Sequence, residues 1–430
     1  MRKLLCVILA ALLAVVPAAC ISRARAESAS AFEPRLDPDT SCRITVVGTY
    51  SNFEALEAEF DRFNEYYPDV ELSYVKPDDY NNLLGTILES KDAPNIFFSY
   101  EWMCGNEKYQ VVCDHMEDLA DPALGLDLGC LRQGLVSREA DGRLLLVPVF
   151  ARNYGMLVNN DLFAKEGLQV PTTWEELLAV CEAFVSKGYT SPLMGYSASS
   201  SGCLMNILVY PEVVAALAGD PEALRAANEM DPSAGEYMRP GLERMMQLIG
   251  NGYIKLEECD KISDNYTEVI LRFFEGDVPM MICTGDTVSG TGKRESQSEA
   301  FTKAPFAYSF APIPLSDAGG YFIDSPSIQF SVNKTCDNLD MTNEFMRFLV
   351  SRPELNRMAS VKRLITPTTD LSFDSVYAPF GGIPAERILS PEVIGITDPL
   401  ATQVRIAAYQ VGTRTITIDE AVGRYGKFEQ

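Results

Sequence analysis

The sequence predicts an α/β protein of two lobes, each assembled from segments that are not contiguous along the chain. Three observations lead there. Strand-like and helix-like runs alternate from Arg43 to Phe98, the alternation resumes from Leu144 to Ala311, and a third stretch from Ser327 to Val350 repeats the first. Strands alternating with helices at this spacing form sheets with right-handed crossovers. A chain of 430 residues, 47% apolar and 22% charged, has the composition of a globular protein with room for two or three cores.

An export address precedes the first strand. Arg2 and Lys3 form a charged start, and Leu4 to Val16 an apolar run of 13 residues, too short to span a bilayer. Two exits are open. Ala18-Ala19-Cys20 resembles a lipobox, with Pro17 where that pattern wants Leu, and would leave Cys20 acylated at the new N-terminus; Ala24-Arg25-Ala26 is an alternative cleavage site. Residues 1–19 are therefore assigned as signal peptide, Cys20 as the lipidation site, and 20–41, rich in Ser, Ala, Pro and Asp, as anchor and flexible tether. The protein is expected at the outer face of the cell membrane, or else secreted or periplasmic. No later stretch approaches 18 consecutive apolar residues.

Regular structure starts with the β-branched run Arg43 to Gly48. Ser51-Asn52-Phe53-Glu54 reads as a capping box, and Phe53, Leu56, Phe60, Phe63 and Tyr67 recur at helical spacing. Pro68-Asp69 ends that helix, Val70, Leu72 and Tyr74 alternate as a strand, and Tyr80, Leu83, Leu84, Ile87 and Leu88 mark a second helix. Ile96-Phe97-Phe98 is a strand buried on both faces. Ligands of such sheets sit beyond the carboxyl ends of the strands, which singles out the loops Thr49 to Asn52 and Ser99 to Gly105. In the second region, Leu144 to Val149 and Tyr154 to Asn159 are extended. Overlapping T-x-x-E boxes at Thr172 and Thr173 open a helix, and others start at Pro240 and near Asp264, the latter running to Gly276. Strands follow at Val278 to Cys283, Tyr308 to Ala311 and Ser327 to Val332, then a helix from Thr342 to Val350. Thr417-Ile418-Asp419-Glu420 caps a last helix.

Charge and histidine content exclude several function classes. Acidic residues outnumber basic ones 60 to 36 for a net charge of −24, and loss of residues 1–19 leaves −26. Such a chain repels phosphate backbones and anionic lipid heads, so no nucleic acid partner is expected. His115 is the lone histidine, which leaves no His pair for a metal. No C-x-x-C occurs. Beyond Cys6 and Cys20 nine cysteines remain, an odd number, among which Cys104 and Cys113 are near enough in sequence to bridge a loop. No cofactor or metal is expected.

A longer pattern carries a resemblance. Phe150-Ala151-Arg152-Asn153-Tyr154-Gly155-Met156-Leu157-Val158-Asn159-Asn160-Asp161-Leu162-Phe163 is followed by Gly167-Leu168-Gln169-Val170-Pro171-Thr172-Thr173-Trp174-Glu175-Glu176-Leu177. Ala93 to Phe97, Leu248 to Ile254, Phe274 to Met281 and Ala311 to Pro314 stand in matching order. Together they resemble the carbohydrate-type, maltose-binding-protein-like extracellular solute-binding proteins of ABC importers, over about residue 43 to the C-terminus. Asn160 stands where that family usually has Lys, and Asp286-Thr287 where Gly-x-Trp is frequent. The resemblance implies a type II periplasmic-binding-protein-like fold with a hinge of crossing strands. Lobe 1 would comprise 42–150 and 315–388, and lobe 2 would comprise 151–314 and 389–430. It also implies a monomer that closes over a small solute, a sugar or oligosaccharide, and delivers it to ABC permease subunits, without catalysis.

A closing cleft needs donors and acceptors for hydroxyls, and aromatic faces for sugar rings. Candidates on strand-end loops are Tyr50, Tyr80, Tyr100, Glu101, Trp102, Asn153, Tyr154, Asp286, Thr287, Tyr321 and Asp324. Ser99-Tyr100-Glu101-Trp102 leads, because a carboxylate is flanked by two aromatics just after a buried strand. Ser51 is better read as a helix cap, Tyr80 as equally a core residue, Asn153 and Tyr154 as equally hinge structure, and Trp174 as packing. Gly285 to Gly292 lacks the Lys-Ser/Thr ending of a phosphate loop and reads as a turn. Two alternatives stay open: a secreted carbohydrate-active hydrolase pairing Glu101 with Asp286 or Asp324, and a ligand-sensing subunit of the same fold.

Overall fold

β1 (Cys42–Val47) lies between β2 (Val70–Val75) and β3 (Ile96–Ser99) and runs parallel to both. Parallel neighbours require crossovers, and helices Glu54–Phe63 and Tyr80–Leu88 supply them. Phe53, Leu56, Phe60, Phe63 and Tyr67 are all buried, as their spacing demands. β4 (Val147–Arg152) belongs to the same sheet. One residue later the chain enters a second sheet, built from β5 (Tyr154–Asn159), β6 (Leu193–Gly195), β7 (Met280–Thr284) and β8 (Tyr308–Ala311). It then passes through β9 (Phe322–Ile323) and returns to the first sheet as β10 (Ser325–Val332), antiparallel to β3 and β4. The sheet orders are β2-β1-β3-β10-β4 and β6-β7-β5-β8. β11 (Ile388–Leu389) pairs with β9 on a third passage, and helices Asp398–Gly412 and Ile418–Gly423 end the chain against the second sheet's helices.

This computed structural model describes residues 32–429 except Gly105, Ser372 and Phe373. Signal peptide, Cys20 and both cleavage sites lie outside the described residues. The described residues from Pro34 onward form one compact unit. No helix among the described residues is long and apolar enough to cross a membrane.

Several local expectations change. The box at Ser51 does not form: Phe53 occupies the N-cap without a side-chain bond, and Ser51 Oγ instead accepts a hydrogen bond from Lys76 Nζ at 3.3 Å. The strand expected from Leu144 begins at Val147. Leu144 to Leu146 are buried, but Leu144 N–H donates to Asp118, its carbonyl accepts from Leu119 N–H, and the Leu145 carbonyl accepts from Ser331 Oγ. β7 begins at Met280 because Pro279 has no N–H to give a neighbour. Turn Ser375–Gly382 sets Tyr377 and Phe380 edge-on and tilted against Phe310 of β8, with ring centres 5.5 and 5.4 Å away.

The cap at Thr173 forms as the sequence predicts. Thr173 Oγ1 accepts from Glu176 N–H at 3.2 Å, and the Glu176 carboxylate accepts from the N–H groups of Thr172 and Thr173. Thr173→Ala is expected to destabilise the protein by about 1 kcal/mol, read by urea denaturation. An unchanged midpoint would show that the box contributes nothing.

Candidate functional site

The crossing from β4 to β5 places two side chains at the seam of the two sheets, Arg152 at the end of one strand and Tyr154 at the start of the next. Tyr154 pairs with Thr284, the last residue of β7, so Asp286 follows directly beside the crossing. Arg152 Nη1 donates to Asp286 Oδ2 at 3.2 Å, and Ser327 Oγ of β10 donates to Asp286 Oδ1. Three separate chain segments thus meet on one carboxylate.

Groups from both sheets surround this centre. From the first come Tyr50 and Tyr100, which follow β1 and β3; burial raises both phenols, and the Asp286 carboxylate raises them further. From the second come Tyr154 and Tyr210, edge-on with ring centres 6.0 Å apart, and Glu392. The Tyr154 phenol is raised by burial, eased by Arg152, and raised again by Glu392 and Asp286. The Glu101 carboxyl is raised by burial, against donation from Ser137 and from Gln329 Nε2 at 3.4 Å. Burial, then the Glu101 charge, pushes the Glu392 carboxyl up to about 8. Arg152, held by Asp286, also acts on Glu392, and Glu101 acts on Glu392, so charged groups carried by both sheets share one neighbourhood. Arg152 is enclosed by protein, yet its side chain keeps 36% exposure, as expected of a residue lining a water-accessible recess.

Trp102 stands beside this cleft as a supported aromatic face. Its ring stacks on Tyr100 at 5.6 Å with 10° between planes, and Tyr109 braces it edge-on at 5.0 Å. It remains 37% exposed, an uncommon placement for so large an apolar ring. Tyr100 Oη lies 3.4 Å from Thr49 Oγ1, and Thr49 opens a hollow of 520 Å³ lined also by Lys76, Asp79, Tyr80, Asn82 and Tyr109. Held from two sides, the indole is fixed in place while part of it stays open to solvent.

The structure brings together Tyr50, Tyr100, Glu101, Trp102, Tyr154 and Asp286 from the sequence-derived candidates. Three others are engaged by groups within the protein. Tyr80 is buried and its hydroxyl donates to the Phe98 carbonyl at 2.6 Å. Thr287 is buried and its hydroxyl donates to the Asn265 carbonyl at 2.9 Å. The Asp324 carboxylate is closed off by Arg132, which donates from Nε and Nη2 at 2.8 and 2.7 Å. Asn153 is buried at the crossing, where a β-carbon on Gly285 would come 3.2 Å from its Oδ1, so glycine suits position 285. One face of Tyr321 is taken by the Arg387 guanidinium at 4.2 Å. Trp174 is 9% exposed in the second core, as packing requires.

Sequence reasoning passed over Arg152, Tyr210, Ser327, Gln329 and Glu392. Arg152 could have been found, because it directly precedes Asn153 in the crossing. Ser327 and Gln329 lie on the returning strand where its register against β4 shifts twice, so a two-residue period does not place their side chains. Tyr210 sits in a helix buried nearly all round, and Glu392 in a four-residue helix with no distinctive pattern.

The raised Glu392 acid has a measurable consequence. Folding strengthens its proton binding relative to the ordinary value of 4.5, so stability is lost as pH rises from about 4.5 through about 8. Glu392→Gln should flatten that fall in a pH series of melting temperatures. A slope equal to wild type would place the titration elsewhere, Glu59 being the first alternative because its carboxyl is also pushed up to about 8.

Comparison with known proteins gives a family and a fold. The family described as bacterial extracellular solute-binding protein matches residues 48–354. The solute-binding protein RafE in complex with raffinose is 18% identical, with 90% of this chain and 99% of that chain covered at a TM-score of 0.66. The sugar-binding protein MalE of Xanthomonas citri is 17% identical, covering 90% and 96% at 0.66. A sugar transporter protein of Bacillus licheniformis in complex with stachyose is 15% identical, covering 90% and 100% at 0.60. No curated protein matches the chain. At these identities the structures speak for the two-lobe fold.

Proposed function

We propose that this chain, which belongs to the bacterial extracellular solute-binding protein family, captures a carbohydrate between its two lobes and delivers it to an ABC permease. One observation carries the reading: Arg152 and Ser327 of the first sheet donate to Asp286, which follows the second, and Trp102 near Tyr100 offers a partly exposed, braced ring. Carboxylates, phenols and amides that replace water on many hydroxyls, next to an aromatic plane, are what a neutral polyhydroxylated ring requires. Complexes of similar proteins with raffinose and stachyose support the same substrate class.

Lobe 1 comprises 42–150 and 315–388, and lobe 2 comprises 151–314 and 389–430, with turn 375–382 resting on the second. Closure needs no nucleophile; a solute that touches both lobes shifts the open–closed population by differential binding. The solute leaves chemically unchanged. The protein acts as a monomer tethered outside the cell through Cys20.

A thermal-shift screen of mono- and oligosaccharides, polyols, amino acids and peptides tests this, since a ligand of the native state raises the melting temperature by mass action. Carbohydrates are expected to give the shift. Stabilisation by amino acids or peptides in place of sugars would overturn the reading.

A further inference from the structure

Two thiols face each other behind the aromatic platform. Cys104 ends the single turn Glu101–Met103 that carries Glu101 and Trp102, and Cys113 lies in helix Gln110–His115. Their Sγ atoms are 3.8 Å apart, and Cys113 Sγ lies 3.6 Å from the Met103 carbonyl oxygen. Neither residue is fully buried, whereas Cys130, Cys181, Cys203, Cys259 and Cys283 are. Buried thiols in apolar surroundings are inert, and half-exposed neighbours are the ones an oxidant reaches.

We propose that Cys104 and Cys113 are a redox pair that closes to a disulfide outside the cell and fixes the turn bearing Glu101 and Trp102. A disulfide needs its sulfurs at about 2.0 Å, so the gap closes with side-chain rotation and a small shift of a short surface turn. Export favours the oxidised form, because disulfides persist in secreted proteins and not in the cytosol. The oxidant is a disulfide, RSSR. Cys113 thiolate attacks one of its sulfurs, forming a mixed disulfide and releasing RS⁻; Cys104 thiolate then displaces the second RS⁻ and forms the intramolecular bond. The two cysteines give up two electrons and two protons, and RSSR leaves as two RSH. The order follows from the close contact of the two sulfurs, which lowers the Cys113 thiol and raises that of Cys104.

The inference does not rest on the carbohydrate reading, because its readout is covalent. Reduced protein comprising residues 27–430 is incubated with oxidised glutathione and digested without reduction. The expected result is one cross-linked species joining the Cys104 and Cys113 peptides and the loss of two titratable thiols. Cys104→Ser should accumulate glutathione on Cys113 with no cross-link. Separate glutathione adducts on the wild-type pair, a cross-link between other cysteines, or two thiols that stay free would each overturn the proposal. A wild-type digest suffices if the variant does not fold.

Discussion

Arg132→Leu is expected to destabilise the protein by about 3–5 kcal/mol, the usual consequence of removing one partner from a buried ion pair. Arg132 Nε and Nη2 hold the Asp324 carboxylate, and Nη1 donates to the Thr366 and Thr368 carbonyls at 2.6 and 2.8 Å. It therefore ties the passage through β9 into β10 to the passage after helix Arg352–Lys362, two of the three places where the chain crosses between sheets. The Asp324 side chain is 4% exposed, so without its partner a buried carboxylate is left unpaired. Urea denaturation checks this, with Arg132→Lys as a companion that restores charge but not the two-pronged geometry and should recover only part of the loss. A loss below about 1 kcal/mol for Arg132→Leu, the range of a surface pair, would show that the tie is weak.

Trp102→Ala is expected to weaken carbohydrate binding by about 1–3 kcal/mol, roughly five- to 150-fold in Kd. The indole is braced by Tyr100 and Tyr109, so its loss removes a pre-ordered face and leaves Tyr100 without its stacking partner. Being partly exposed, it fills no core, and the melting temperature of the free protein should change little. Trp174→Ala should behave oppositely, lowering stability while leaving affinity near wild type, because Trp174 packs in the second core. Unchanged affinity of Trp102→Ala by calorimetric titration would remove that residue from the site.

What could be read in the sequence follows from periodicity. Phe53 to Tyr67 turn one face to the core on a helical period, and Val70 to Tyr74 form the strand their alternation predicts, although at the sheet's edge only Val70 is fully buried. Helix Leu204–Leu217 escaped because it is apolar all round, and Pro211 inside it reads as a break. The same limit governs the cleft. Tyr100, Glu101 and Trp102 were legible because they follow a buried strand directly. Glu392 comes under the influence of Glu101 and Arg152 only after the last crossing, and spacing along the chain carries no trace of it. Asp324 looked free for a solute because its partner Arg132 lies 192 residues away.

The most direct test uses the chain's having only two tryptophans. In Trp174→Phe protein, Trp102 is the sole indole emitter, and it stands at the mouth of the proposed cleft. Titration with the oligosaccharide that raises the melting temperature most should change its emission saturably, with the midpoint that calorimetry gives. Saturable stabilisation by that sugar with no change in Trp102 emission would place the binding site elsewhere and contradict the account.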